Sequence, residues 1–131
     1  FDSVHTVDSI GILEGLERYG KPMDILFEVN LSGEATKSGT TADGLRRILE
    51  RASSIRHLRP AGLMTMPPYT QDPEDVRDIF RELRITRDAM NAQFGIAMTE
   101  LSMGMSSDFE VAIEEGATMV RIGTAIFGER R

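Results

Sequence analysis

The chain has 131 residues, no cysteine, and a formal net charge of -6 with a pI near 4.9. Without thiols it offers neither a disulfide framework nor a thiolate metal site, and scattered arginines on an acidic chain do not make the basic stripe that holds nucleic acid. With 40% hydrophobic and 27% charged residues it can bury a core as one globular domain, and no apolar run approaches the roughly 20 residues of a membrane span.

Short apolar runs and a 3.6-residue period predict strands alternating with helices. A strand at residues 4 to 7 precedes a helix over residues 9 to 19, with Ile10, Leu13 and Leu16 inward and Gly20 as its stop. Lys21 stands in the turn Gly20-Lys21-Pro22, ahead of a strand at residues 24 to 30. The polar segment 32 to 39, which holds Lys37, is a loop. A second helix, from Thr41 or Ala42 to about Ser53, buries Leu45, Ile48, Leu49 and Ala52.

A strand at residues 60 to 66 runs into Pro67-Pro68, and Tyr69 follows on a loop, either bordering a pocket or simply packed there. The third helix begins after Asp72-Pro73 and is long, with Val76, Ile79, Phe80, Leu83, Met90 and Phe94 facing the sheet. Its arginines from Arg77 to Arg87 alternate with Asp75, Asp78, Glu82 and Asp88, the pattern of a solvated, salt-bridged face. Strands at residues 100 to 104 and 119 to 123 bring the candidates to five. Such alternation predicts an α/β fold with parallel strands and right-handed crossovers. His5 and His57 are far apart and lack a neighbouring carboxylate pattern, which argues against a metal site.

The last third of the chain carries the chemistry. After the strand at residues 100 to 104, Ser107 is placed as N-cap and Glu110 as its capping-box partner for a helix over residues 108 to 115. Phe109, Ala112 and Ile113 fall on one face, and Gly116 ends the helix in a left-handed conformation. The helix start offers unpaired N–H groups with the Ser106 hydroxyl beside them, and Gly123-Thr124 offers a close backbone approach and a second hydroxyl. An anion suits both donor sets. Arg121, a fixed charge inside an apolar run, needs a ligand or a carboxylate. Taken singly, the capping box is an ordinary helix start, Gly123 a turn and Arg121 a structural ion-pair member; together they favour a bound phosphate.

The run LSMGMSSDFEVAIEEGATMVRIGTAIFG resembles the C-terminal signature of the YggS/PROSC-like pyridoxal phosphate homeostasis proteins, which share the fold-type III barrel of alanine racemase. VHTVDS, FEVNLSGEATKSG and GLMTMPP match further family segments in the family's order, so the resemblance covers nearly the whole chain. It implies a partial (β/α)8 TIM barrel, about its last five βα units, that binds pyridoxal 5'-phosphate (PLP). Ser106, Gly123 and Thr124 would hold the phosphate, Arg121 would face the pyridine nitrogen, and Met105 would pack near the ring or phosphate. An arginine there keeps that nitrogen unprotonated and weakens the ring as an electron sink.

The family's Schiff-base lysine lies on the first barrel strand, in a segment absent from this sequence; neither Lys21 nor Lys37 matches it. A complete barrel typically needs ~250 residues, so the expectation is one incomplete domain lacking its N-terminal strands, with exposed edges through which copies self-associate. The resemblance implies a cytoplasmic cofactor carrier and regulator rather than an enzyme. Two alternatives stand beside it: an amino-acid racemase of the same fold, and a non-binding, self-associating fragment.

Overall fold

The computed structural model describes residues 4–31, 39–67, 71–104, 108–122 and 125–127, with backbone alone at 4–5, 120–122 and 125–127. The elements run β1 (Val4–Val7), α1 (Ile10–Tyr19), β2 (Met23–Glu28), α2 (Ala42–Ala52), β3 (Leu58–Met64), a 3₁₀ turn (Pro73–Val76) continuing into α3 (Arg77–Phe94), β4 (Glu100–Ser102), α4 (Phe109–Glu114), β5 (Val120–Ile122) and β6 (Ala125–Phe127). The expected α/β alternation is there. β1 to β4 form a parallel sheet in sequence order, as βαβ units require.

The fifth strand departs from expectation. Among the described residues Met119, just ahead of β5, meets the parallel sheet at an isolated bridge to Ser102, and β5 itself pairs antiparallel with β6. The sequence reading missed β6, whose three residues are too short to show a period.

Local chemistry explains the element ends. Ser9 caps α1 by accepting from the Ile12 N–H at 3.2 Å, and Gly20, with φ +80°, ends it. Thr41 caps α2 by accepting from Gly44 N–H at 3.1 Å. Asp72 accepts from Glu74 N–H at 3.0 Å, with Pro73 in the first turn where its missing N–H costs nothing. Pro60 sits inside a strand bonded on both sides, and the β2–β3 register shifts there: Ile25 faces Pro60 while Leu26 faces Gly62, leaving Ala61 extra. A bulge is how a central strand accommodates a residue with no N–H.

The main core lies between one face of the sheet and the helices. Ile25, Phe27, Leu63 and Leu101 from the strands meet Leu13, Leu45, Phe80 and Leu83, all fully buried. α2 buries the four residues expected of it, and the 3₁₀ turn buries Val76 and α3 Phe80, Leu83 and Met90, with Ile79 and Phe94 partly covered. Two inward assignments fail. Ile10 is 38% exposed and Ile113 51% exposed, whereas Val111 takes the buried position on α4. A six-residue helix makes under two turns, so its buried face depends on one packing neighbour rather than on a period. A smaller cluster of Leu26, Ala61 and Met64, with Met119 against it, lies apart from the main core.

Gly62 sets the distance between β3 and β4. A Cβ built there would run into the Glu100 carbonyl oxygen and lie 2.6 Å from its carbonyl carbon. The close approach keeps the two strand ends in step, with Leu63 level with Leu101 and Met64 with Ser102.

Candidate functional site

In a parallel α/β sheet ligands gather at the carboxyl ends of the strands, because every βα connection opens there. Here that rim is tied together beyond the named strands. The Val29 N–H donates to Met64 O at 2.8 Å, Thr65 N–H to Ser102 O at 3.2 Å, and Met103 N–H to Met119 O at 3.0 Å. The buried Thr65 hydroxyl donates to Val29 O at 2.8 Å. Asp8, just past β1, accepts from Gly39 N–H at 3.1 Å, while across the base of the connection after β2 the Asn30 N–H donates to Thr40 O and the Thr40 N–H to Glu28 O, each at 2.9 Å. The ends of β1 to β4 thus form one cross-linked ledge.

Of the expected site residues, Met105, Ser106, Gly123 and Thr124 lie outside the described residues, and of Arg121 only the backbone, in β5, is described. Lys37 and Tyr69 also lie outside them. What the fold supplies is their surroundings. Met103 and Gly104, which lead from β4 toward Ser106, are buried, with Gly104 at φ +104°. Ser102 bridges Met119, so Ser106 follows one side of that bridge by four residues and Gly123 follows the other by four. Ile122 and Ala125 are the paired residues flanking Gly123 and Thr124 in the β5–β6 hairpin. Hydroxyls and glycine N–H groups leaving neighbouring strand ends fit a phosphate by their chemistry.

The helix-start part of the expectation needs correction. The N-cap position of α4 is Asp108, not Ser107, and the helix is six residues long. So short a helix carries few aligned peptide dipoles, and the acidic Asp108 and Glu110 near its start oppose an anion on that outer side. A cavity of about 370 Å³ between this helix start and the 3₁₀ turn is lined by Asp72, Glu74, Asp108, Glu110 and Glu114. Its carboxylates disfavour phosphate there.

Lys21 lies just before β2, at the opposite end of the strands from the ledge, and stacks its ammonium 5.7 Å from the Tyr19 ring centre. A six-residue strand at ~3.3 Å per residue puts it about 20 Å away. It is no ligand of this rim. At the same far end Arg59 forms a two-pronged pair with Asp24 at 2.8 and 2.7 Å, and that hydrogen-bonded partner raises the guanidinium pKa.

The most heavily charged feature was only half legible. The expected short-range pairs are there, Arg77 with Glu74 of the 3₁₀ turn at 2.7 Å and Arg81 with Asp78 within α3 at 3.2 Å. Yet Arg77, Arg81 and Arg84 also reach across to Glu115, at 2.8, 3.3 and 3.3 Å, and its side chain is only 8% exposed. Hydrogen bonds from Arg77, then from Arg81, hold the Glu115 carboxyl below its ordinary pKa against the opposing effect of burial. Glu74 is likewise lowered, chiefly by Arg77, whose own pKa is raised by Glu74, Glu114 and Glu115. The signal in the sequence was the i, i+4, i+7 spacing of the three arginines, a stripe wanting one shared anion.

Comparison with known proteins gives this rim a family. A pyridoxal phosphate homeostasis protein of Aquifex aeolicus is 45% identical over 132 residues, covering 98% of this chain and 58% of the relative. One from Vibrio alginolyticus is 44% identical, covering 99% and 57%. The chain thus spans somewhat over half the length of the curated relatives it matches. Among solved structures, PipY of Synechococcus elongatus with PLP bound superposes with a TM-score of 0.82 at 32% identity, over 95% of this chain and 59% of PipY. The arginine decarboxylase of Paramecium bursaria Chlorella virus, 15% identical with a TM-score of 0.72, shares the fold. With the alanine racemase N-terminal domain matching residues 2–131, the chain belongs to that family.

Proposed function

We propose that this chain forms the phosphate-holding part of a PLP-binding protein that serves intracellular, cytoplasmic PLP homeostasis and is not itself a catalyst. The observation that carries the reading is the superposition of 95% of the chain on a relative whose structure contains PLP. The names of the curated relatives and the Ser102–Met119 bridge, from which both donor segments depart, add to it. In this reading residues 1–131 act as one domain.

Ser106 and Thr124 donate hydroxyls to the phosphate, Gly123 gives a backbone N–H, and Met105 packs beside the cofactor. Arg121 faces the pyridine nitrogen and keeps it unprotonated, since a second positive charge beside a fixed one is disfavoured. PLP supplies an electrophilic aldehyde conjugated to an electron-withdrawing ring; Arg121 limits that withdrawal, which suits holding the cofactor over turning over an amino acid. β1 stands at one edge of the sheet and pairs only with β2 among the described residues, and it offers that edge to a second copy.

The test is a PLP titration of the Ser106→Ala/Thr124→Ala double variant. Hydrogen bonds to a charged group contribute about 1.5 to 3 kcal/mol each, so the double variant should bind PLP about 100-fold more weakly or worse while its circular dichroism stays unchanged. Unaltered affinity would remove these two residues from the site.

A further inference from the structure

We propose that Met66 is a modification site at this rim: a peroxide oxidises its thioether to the sulfoxide, and the sulfoxide weakens PLP binding. The second half rests on the function proposed above; the first stands on exposure alone. Among the described residues, the exposed large hydrophobics Ile10, Ile12, Tyr19, Ile85 and Ile113 all lie on helices. Met66, 41% exposed, is the one at the strand ends.

The other described methionines are shielded. Met23, Met64, Met90, Met98 and Met103 are 7% exposed or less, and the Thr6 hydroxyl lies 3.8 Å from the Met64 sulfur. Met119 is half-buried against the Leu26, Ala61 and Met64 cluster. Met66 is also held where it is. It follows Thr65, whose N–H donates to Ser102 O and whose hydroxyl donates to Val29 O, so it leaves the cross-linked ledge directly. Pro67 after it restricts its backbone to extended conformations.

In the oxidation a sulfur lone pair attacks one peroxide oxygen. The S–O bond forms as the O–O bond breaks, and the leaving hydroxide takes the proton of the transferred oxygen to become water. Sulfur loses two electrons and the peroxide gains them. An apolar, adaptable side chain thereby becomes a polar one. On an open rim water solvates the new oxygen, whereas a ligand lying over it strips that water, which disfavours binding.

Peptide mapping of the full-length protein after brief hydrogen peroxide treatment tests the first half. Because susceptibility follows exposure, sulfoxide should appear at Met66 about 10-fold faster than at the five buried methionines. A rate no higher than theirs would overturn the site. PLP titrations before and after the same treatment, on wild type and on Met66→Leu, test the second half. Treated wild type should bind PLP about 5-fold more weakly than untreated, or worse. Met66→Leu has no sulfur at that place, so treatment should leave its own affinity where it was. An equal loss in both proteins, or no loss in wild type, would overturn the coupling. Wild type that binds no PLP before treatment would instead overturn the proposed function, and the mapping at Met66 is read independently of that result.

Discussion

Replacing Gly62 with alanine adds a single methyl group, and the structure shows why it should be among the most damaging changes of that size. The new Cβ would overlap the Glu100 carbonyl oxygen and stand 2.6 Å from both the carbonyl carbon and the Cβ of that residue, against the 3.5 to 4.0 Å of ordinary carbon contacts. The obstacle is backbone, which cannot rotate away. β4 would have to retreat by about 1 Å, straining its pairing with β3 and the bonds from Thr65 N–H to Ser102 O and from Thr99 N–H to Ala61 O. Overpacking typically costs about 1 to 3 kcal/mol, and the rigid neighbour argues for the upper end, near 3 kcal/mol. For a domain of this size that lowers Tm by about 10 °C. Gly15→Ala is the matched control, because a Cβ there meets only the Arg18 guanidinium at 4.0 Å inside α1. It should stabilise by about 0.5 to 1 kcal/mol through helix propensity. Urea unfolding followed by circular dichroism reads both. A Gly62→Ala protein within about 0.5 kcal/mol of wild type would refute the tight β3–β4 approach.

Three further outcomes follow from the same geometry. Because the Glu115 and Glu74 carboxyls titrate below their ordinary range, the stability they contribute is fully present above about pH 4.5 and is lost as pH falls through their lowered folded-state values. Glu115→Gln should therefore lower stability at neutral pH by about 1 to 2 kcal/mol, discounted for its partly exposed arginines, and flatten the acid limb of the stability curve. An unchanged acid limb would contradict the cluster. Phe80→Ala, at a fully buried position of α3, should cost about 3 to 5 kcal/mol in the same unfolding assay, and a loss below 1 kcal/mol would misplace that helix face. Asp8→Ala removes the acceptor of the Gly39 N–H and should cost about 0.5 to 1.5 kcal/mol, with faster amide exchange at Gly39; unchanged exchange would contradict that tie.

The sequence was most readable where periodicity is long. α2 and α3 span 11 and 18 residues, enough turns for Leu45, Ile48, Phe80 and Leu83 to declare one face. α4 spans six, and there the reading exchanged Val111 for Ile113 and put the cap one residue early. β3 begins two residues ahead of expectation because a proline inside a strand reads as its start, while the bulge that admits Pro60 is set by the neighbouring strand. β6 was hidden in three residues, although Gly123-Thr124 between Ile122 and Ala125 is the spacing of a two-residue hairpin turn.

The site proposed here rests on the family blocks of the sequence more than on local physics. Ser106, Arg121, Gly123 and Thr124 are recognisable because their motif is long, whereas nothing local shows that Glu115, one glutamate in a Glu-Glu-Gly run, draws in three arginines from another helix. Such a contact depends on how α3 and α4 pack, and packing is not written in the spacing of either helix alone.

The most direct test of the proposed function is a PLP titration of the purified protein followed by absorbance, with borohydride reduction and intact-mass analysis on the same sample. Saturable binding at one site per chain is the expected result, and the mass shows whether an amine of the protein has joined the cofactor. Absence of saturable binding by the full-length protein would contradict the assignment of this rim to PLP.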